Sequence, residues 1–523
     1  MTGSDADEPG DRTGQVDPAP GLEVILGEIE QVVEPVTESV SMAPAVGIAV
    51  AGGPMITLPP DDQGEVQDVG QEEASGPSGP GRSTSGGDSL RSGLTQAGPV
   101  AIAGLVVNGA AALVVIAVAR LVSSQDYGAI AQLLGLFFIL SMPGSAVLVG
   151  VVRQVTALRK AGHAQLVRAW VRKVHRVVLA AIAVEIVLVV ILQNWIARQL
   201  SLPNSQGIVL ILVAAGIWIL LCVDRGLLQA HRRYTGLAAN LLIEGGVRTF
   251  FVIVLVVAHL GVTGYCLGVF LGEVVATLHA HWLAGRTWSA EENAGPSVDG
   301  QIPADPTTAE SRQARRLTAD VSAAFVGLAL LGLLQNVDVI LLGRLDHHNV
   351  GPYAAISVAS KALVFGALAL GAYLLPEATI RWNEGGHAIR QLGVTLIFLS
   401  VPAAMLLVIS VFIPKFFLTL VFSAKLSTAA PAFAPLVGAM IFLSFSVLVT
   451  NYLFGTGSRW IVLLLAGGSV LALVLIDLAN GQTVATARAD LIAQGGLALA
   501  MAIAFVAIHR KHRGQHWTLG RWR

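Results

Sequence analysis

From residue 98 onward the chain is a succession of apolar runs, each about as long as a bilayer is thick, and that pattern excludes most of what a polypeptide can otherwise fold into. A hydrocarbon core about 30 Å thick takes about 20 residues of helix, and in lipid every backbone N–H and C=O has to be satisfied within the segment. Runs that meet this condition lie at about 98–121, 126–151, 176–197, 206–228, 237–259, 262–284, 318–343, 350–376, 392–413, 430–453, 459–478 and 488–508. Two are less regular. The run at 430–453 carries Pro431 and Pro435 near its start, and the run at 488–508 opens with Arg488 and Asp490. Charged residues make up only 13% of the chain, about half the share of a soluble domain. We expect an all-α integral membrane protein with twelve transmembrane helices.

The few charges that remain are segregated. Residues 1–95 are polar and acidic, rich in Gly, Ser, Asp and Glu towards their end. They cannot bury enough apolar surface to offset ordering, so a disordered cytoplasmic tail is expected. The start MTGSDADEPGDRTG is acidic and has no apolar core behind it, unlike a signal peptide. Basic residues gather in alternate connections: Arg153, Arg159, Lys160, Arg168, Arg172, Lys173 and Arg176 after run two, Arg232 and Arg233 after run four, and Arg286, Arg312, Arg315 and Arg316 after run six. Arg381 and Arg390, then Arg459, then Arg510, Lys511, Arg513, Arg521 and Arg523 continue the series. The other side holds little beyond Arg198, Arg344, Lys415, Lys425 and Arg488. Positive residues stay cytoplasmic, so both termini are expected there and the number of spans is expected to be even. The expected plan is a tail (1–95), a six-helix half (96–284), a cytoplasmic linker (285–317), a second half (318–508) and a basic tail (509–523).

The two halves resemble one another. Arg120-LVSSQDYGAIA closes run one and opens run two, and Arg344-LDHHNVGPYAA does so for runs seven and eight, so that Arg120 meets Arg344 and Gly128 meets Gly351. LLQAHRRYTG from Leu227 and LFGTGSRWIV from Leu453 occupy the connections four–five and ten–eleven, pairing Arg233 with Arg459 and Tyr234 with Trp460. Because six is even, both halves enter the membrane in the same direction. They form two parallel six-helix repeats, an arrangement that places a cavity between them.

These same segments carry a family resemblance. Arg120-LVSSQDYGAIAQLLGLFFIL, with its Asp126-Tyr127-Gly128, resembles the first hairpin of bacterial polysaccharide-biosynthesis proteins. These are the lipid-linked oligosaccharide flippases of the multidrug/oligosaccharidyl-lipid/polysaccharide exporter superfamily. Asp338-VILLGRL with Val350-Gly351-Pro352-Tyr353, Gln229-AHRRY and Gly455-Thr456-Gly457 look similar as well, and the likeness spans about 98–508. It implies export or flipping of a polyprenyl-linked saccharide across the cytoplasmic membrane by alternating access, with membrane lipid around it. It also allows the acidic tail to dock polysaccharide-synthesis machinery. The long tail departs from the family's compact start. A multidrug or cation antiporter of the same superfamily is the rival; such proteins place an acid deep in the first helix of a half, where this chain has only Asn108.

Charges at membrane depth cost about 2.5–3.5 kcal/mol each on insertion scales and face a cavity or a partner. Glu244 and Arg248 share one face of run five at i,i+4. They are either cavity residues, Arg248 meeting a phosphate and Glu244 moving a proton, or a mutually neutralising pair. Lys361 has no acid within a turn of its own helix, and is either a ligand for a lipid pyrophosphate or the partner of Asp338 across the hairpin of runs seven and eight. Asp338, Glu185 and Glu273 are candidate proton or ion carriers, with a neutral hydrogen-bonded acid as the plainer reading. Asp224 and Arg225 close run four and are expected at its cytoplasmic interface, and Asp477 lies near a helix end. Histidines are scattered without ligand spacing, so no metal site is expected; Cys222 and Cys266 lie inside apolar runs. There is no Gly-x4-Gly-Lys-Ser/Thr loop, no catalytic cluster and no basic patch with interleaved aromatics. ATP hydrolysis, an enzyme, a cofactor and nucleic acid are therefore all poor fits.

Overall fold

A computed structural model describes residues 85–160, 164–202, 205–293, 308–383 and 389–519. Residues 1–84, which hold most of the expected tail, lie outside the described part, as do 294–307 of the linker and 520–523 at the end. The described residues form helices joined by short turns, with no strand among them. Among the described residues twelve helical segments are long and apolar enough to cross a membrane, one for each run in the sequence.

The first half consists of α1 (Ser85–Leu121), α2 (Ser124–Ser141) with α3 (Gly144–Lys160), α4 (Ala164–Gln199), α5 (Gln206–Ala230), α6 (Tyr234–Val257) and α7 (Gly261–Asn293). The second consists of α8 (Thr308–Leu345), α9 (Val350–Asn383), α10 (Ile389–Phe412), the short α11 (Pro414–Val421), a 3₁₀ segment (Ala424–Ala432) continuing into α12 (Phe433–Gly455), α13 (Ile461–Leu478) and α14 (Thr483–Leu519). Run two is two helices because Pro143, which has no N–H to donate, interrupts the ladder. Helix ends depart from the apolar boundaries. The first helix starts at Ser85, inside the stretch expected to be disordered, and α7, α8 and α14 reach into the linker and the C-terminal tail. Hydropathy marks the part of a helix that meets lipid, whereas the backbone ladder runs on until a breaker stops it.

The repeat shows in how the helices pack. In the first half α1 packs on α6, α6 on α7, α5 on α7, α2–α3 on α5 and α4 on α5; in the second α8 packs on α13, α13 on α14, α12 on α14, α9 on α12 and α10 on α12. These are the same five partnerships, position for position. The turns repeat as well. In the first, His231 N–H donates to Leu227 O and Arg233 N–H to Leu228 O; in the second, Thr456 N–H donates to Tyr452 O and Ser458 N–H to Leu453 O. Arg232 (φ 54°) and Gly457 (φ 76°) take the left-handed position that ends the helix in each turn. This hydrogen-bond register pairs Arg233 with Ser458, one residue away from the pairing read from side-chain similarity. Backbone geometry at the cap sets the alignment, and side-chain likeness alone does not.

The halves meet through α2 against α8 and α9, and α3 against α8. The first-hairpin motif builds this junction. Ser123 accepts from Asp126 N–H (3.0 Å) to cap α2, Tyr127 is buried against Phe422, and Gly128 leaves no room for a side chain against Val350 and Gly351. At the matching turn Asp346 accepts from His348 N–H (3.0 Å) and from Asn349 Nδ2 (2.7 Å). Partial burial pushes the Asp346 carboxyl up, but these hydrogen bonds and nearby His348 outweigh it and hold it below the usual carboxylate range. Further ties at this end join Arg120 Nη2 to Val421 O (3.2 Å), Lys425 Nζ to Val122 O, and Ser201 Oγ to Arg344 O (3.5 Å). A Cβ on Gly351 would sit 2.6 Å from Ser124 Oγ and 2.8 Å from Ser124 C, so Gly351→Val is expected to lower stability by about 1–3 kcal/mol through overpacking. Gly246→Ala, where a Cβ meets nothing within 4 Å, should be neutral or mildly stabilising. Unfolding midpoints of the two variants in detergent check the contrast.

Candidate functional site

Among the described residues, most of the buried acids and bases collect in two groups, one in each half, and only tertiary packing shows either of them. In the first half, α5, α6 and α7 contribute Arg225, Glu244, Arg248 and Glu273. Arg225 Nη2 lies 2.5 Å from Glu244 Oε2, and its Nε donates to Asn240 Oδ1 at 2.7 Å. Arg248 Nη2 bonds both Glu244 and Glu273. All four side chains are buried. The close approach of α6 and α7 that allows this depends on glycine: a Cβ on Gly272 would lie 2.8 Å from Arg248 Cβ. Asn240 Nδ2 fixes the group further by donating to Ala276 O at 2.7 Å. Two guanidinium groups face two carboxylates, so this cluster is formally neutral.

The expectations for this half are thus partly met and partly corrected. Glu244 and Arg248 do form an ion pair, and Glu273 has a partner that its apolar sequence neighbours do not suggest. Arg225 and Asp224, expected at the interface, are 3% and 1% exposed. The correction has a physical cause: neighbouring helices close over this end of α5, with His175 of α4 and His281 of α7 at Asp224, and Asn240 and Glu244 of α6 at Arg225. Glu185 stands apart from the group. It is half-buried on α4, where Gly216 of α5 leaves the notch that takes its carboxylate. Asp477 is exposed near the end of α13.

In the second half, Lys361 Nζ of α9 lies 3.5 Å from Asp338 Oδ1 of α8 and donates to Asn336 Oδ1 at 3.3 Å. Ser357 Oγ donates to Asp338 Oδ2 at 3.0 Å. From α14 comes Asp490, fully buried, whose Oδ1 accepts from Gln494 Nε2 at 3.1 Å while Gln494 also donates to Leu334 O. Asp338 and Lys361 are its electrostatic neighbours. Sequence reading takes Asp490 as a blemish at a span's edge; the structure makes it a member of the site. The only signal for it is an acid placed within a turn of an apolar face. One ammonium against two carboxylates leaves this cluster one positive charge short. A buried charge without compensation is costly, so the charge count of this cluster leaves a place for one proton or cation.

A narrow crevice of about 40 Å³ lies between the halves, lined by Val115 of α1, Leu134 and Phe138 of α2, Asn336 of α8, and Lys361 and Phe365 of α9. A smaller cleft of about 10 Å³ between α1, α6 and α7 includes Arg248, Thr249 and Tyr265 in its wall. The wall of each opening thus carries a cation, Lys361 or Arg248, and none of the acids paired with it. Besides these cations the larger lining is polar only at Asn336 and Ser357, and the smaller at Thr249 and Tyr265.

Neither a family model nor a curated protein matches the chain. Solved structures do. A multidrug-resistance MATE family transporter of the MOP superfamily, in an inward-facing conformation, matches with a TM-score of 0.54 at 12% identity, over 76% of this chain and 99% of that one. A MATE protein in complex with MaL6 matches with a TM-score of 0.53 at 12% identity, over 79% and 97%. The Vibrio cholerae MATE transporter VcmN in its bent form gives 0.51 at 14%, over 79% and 96%. Together with the paired six-helix halves, these likenesses establish that the chain has the twelve-helix fold of MATE transporters of the MOP superfamily.

Proposed function

We propose that this protein is an alternating-access transporter of the cytoplasmic membrane, with both termini cytoplasmic, that moves a polyprenyl-linked oligosaccharide or polysaccharide precursor across the bilayer. The observation that carries the reading is the lining of the larger opening: Lys361 lines it, and neither Asp338 nor Asp490 does. Cationic groups in a low-dielectric wall favour a phosphate-bearing substrate, and the apolar remainder of the crevice suits a lipid chain. When a phosphate draws Lys361 away from Asp338, the charge on Asp338 and Asp490 is uncovered and a proton or cation has to follow. Substrate occupancy is coupled to ion occupancy in that way. The neutral cluster of the first half holds α5, α6 and α7 together, with Arg248 at the edge of its cleft.

A second reading, a multidrug antiporter, is favoured by the structural neighbours, which include a multidrug-resistance transporter. Deleting the gene in its host separates the two. The first reading expects lipid-linked saccharide to accumulate in the membrane while a surface polysaccharide disappears. An unchanged polymer with increased sensitivity to cationic drugs would replace it with the second.

A further inference from the structure

Outside both clusters, where α4, α5 and α7 converge at the end of the bundle carrying the Arg232–Arg233 turn, three side chains meet that are far apart in the sequence. His175 Nε2 lies 2.9 Å from Asp224 Oδ1, and His281 Nδ1 lies 3.4 Å from Asp224 Oδ2. The donor atoms of all three fall within 4.8 Å of one another. We propose that His175, Asp224 and His281 form a binding site for a divalent transition-metal ion of the zinc type, which clamps α4, α5 and α7 together.

The hydrogen bonding around His175 points to a cation. Its Nδ1 lies 3.0 Å from Val171 O and its Nε2 lies 2.9 Å from the Asp224 carboxylate, so both ring nitrogens face oxygen acceptors. A neutral imidazole donates from one nitrogen only. With Nδ1–H given to Val171 O, the Nε2 lone pair points at a carboxylate oxygen, and something positive has to stand between them. A proton can stand there; a metal ion held beside the pair by both groups is the alternative that the far N–H supports, since ligating histidines characteristically donate it to a backbone carbonyl. The carboxylate points the same way. Asp224 is 1% exposed, and its Oδ2 accepts no hydrogen bond although it faces the second histidine. Two imidazoles and one carboxylate suit zinc and its neighbours better than magnesium or calcium, which prefer all-oxygen shells, and water would fill the fourth position. His281, 69% exposed in its side chain, gives the ion a way in.

The location gives the clamp a consequence. Asp224 immediately precedes Arg225, the arginine that joins α5 to Glu244 and Asn240. His279, on the same helix as His281, lies 3.2 Å from Asn240. An ion here would thus stiffen the frame of the first half's charged cluster without entering either opening.

The test uses the full-length, tag-free protein in detergent, stripped with a chelator and then titrated with zinc chloride or magnesium chloride. The expected result is one zinc retained per chain and a higher unfolding midpoint in zinc but not in magnesium. His281→Ala, at an exposed position that leaves the fold intact, should weaken zinc binding by more than about tenfold and abolish the midpoint shift. A double His347→Ala/His348→Ala variant, altered in an exposed pair elsewhere, should bind zinc like the parent. The proposal is overturned if no zinc is retained, in which case a proton joins His175 to Asp224. It is equally overturned if His281→Ala binds zinc as the parent does, or if the His347/His348 pair accounts for the binding.

Discussion

Arg248→Met is expected to lower folding stability by about 3–5 kcal/mol, and the double variant Arg248→Met/Glu273→Leu to recover most of that loss. Arg248 holds two carboxylates, Glu244 and Glu273, inside a bundle where all four members of the group are buried. Removing it leaves Arg225 to balance both acids from one side, and Glu273 loses the guanidinium that faces it. Stranding a buried charge in this way is what makes broken buried pairs expensive, whereas replacing both partners by apolar side chains is close to neutral. The double variant keeps the Arg225–Glu244 contact at 2.5 Å, so its cluster remains uncharged overall. Unfolding midpoints and the monodisperse fraction in detergent measure the first part. Transport measures the second: the double variant should transport like the parent, because the charge imbalance that calls for an ion lies in the other half. A double variant that folds but does not transport would move ion coupling to Glu273.

How much of this was legible in the sequence depends on which force placed each feature. The twelve spans were, because the bilayer imposes a length and a polarity on each helix separately. The repeat was too, through Arg120 and Arg344 and the two glycines of the hairpins, since Gly128 and Gly351 pack against each other where the halves meet. Helix ends such as Ser85 were not, because no change of hydropathy accompanies them. The pairing of Glu244 with Arg248 could be read from i,i+4 spacing. Glu273 and Arg225 could not be added, since their partners lie on other helices and the glycine contacts that bring α6 and α7 together carry no label for what they join. Asp490 was masked in the same way, as was the meeting of His175, Asp224 and His281. The charged sites themselves do not follow the repeat: the first half places its group on α5, α6 and α7, the second on α8, α9 and α14.

That asymmetry makes Lys361 the most informative position in the molecule. Lys361→Met is expected to reduce flipping of a lipid-linked diphosphate saccharide in proteoliposomes by about thirtyfold to a hundredfold. The estimate follows from the loss of a buried charge contact worth at least about 2–3 kcal/mol, with about 1.4 kcal/mol to each factor of ten. The single variant also strands Asp338 beside Asp490, so lost transport alone would not distinguish a missing substrate contact from a damaged fold. Lys361→Met/Asp338→Asn answers this, because it removes the ammonium and the carboxylate 3.5 Å from it together. Its stability should return toward that of the parent while flipping stays low, and Lys361→Arg, which keeps the charge, should retain part of the rate. The same single variant gives the opposite sign with a cationic drug. Removing a positive charge from the wall of the crevice takes away repulsion and uncovers Asp338, so drug transport would rise or hold. The sign of the Lys361→Met effect therefore reports the charge of the substrate. A fall for the diphosphate with no fall for the drug supports the flippase, and the reverse assigns the crevice to cations.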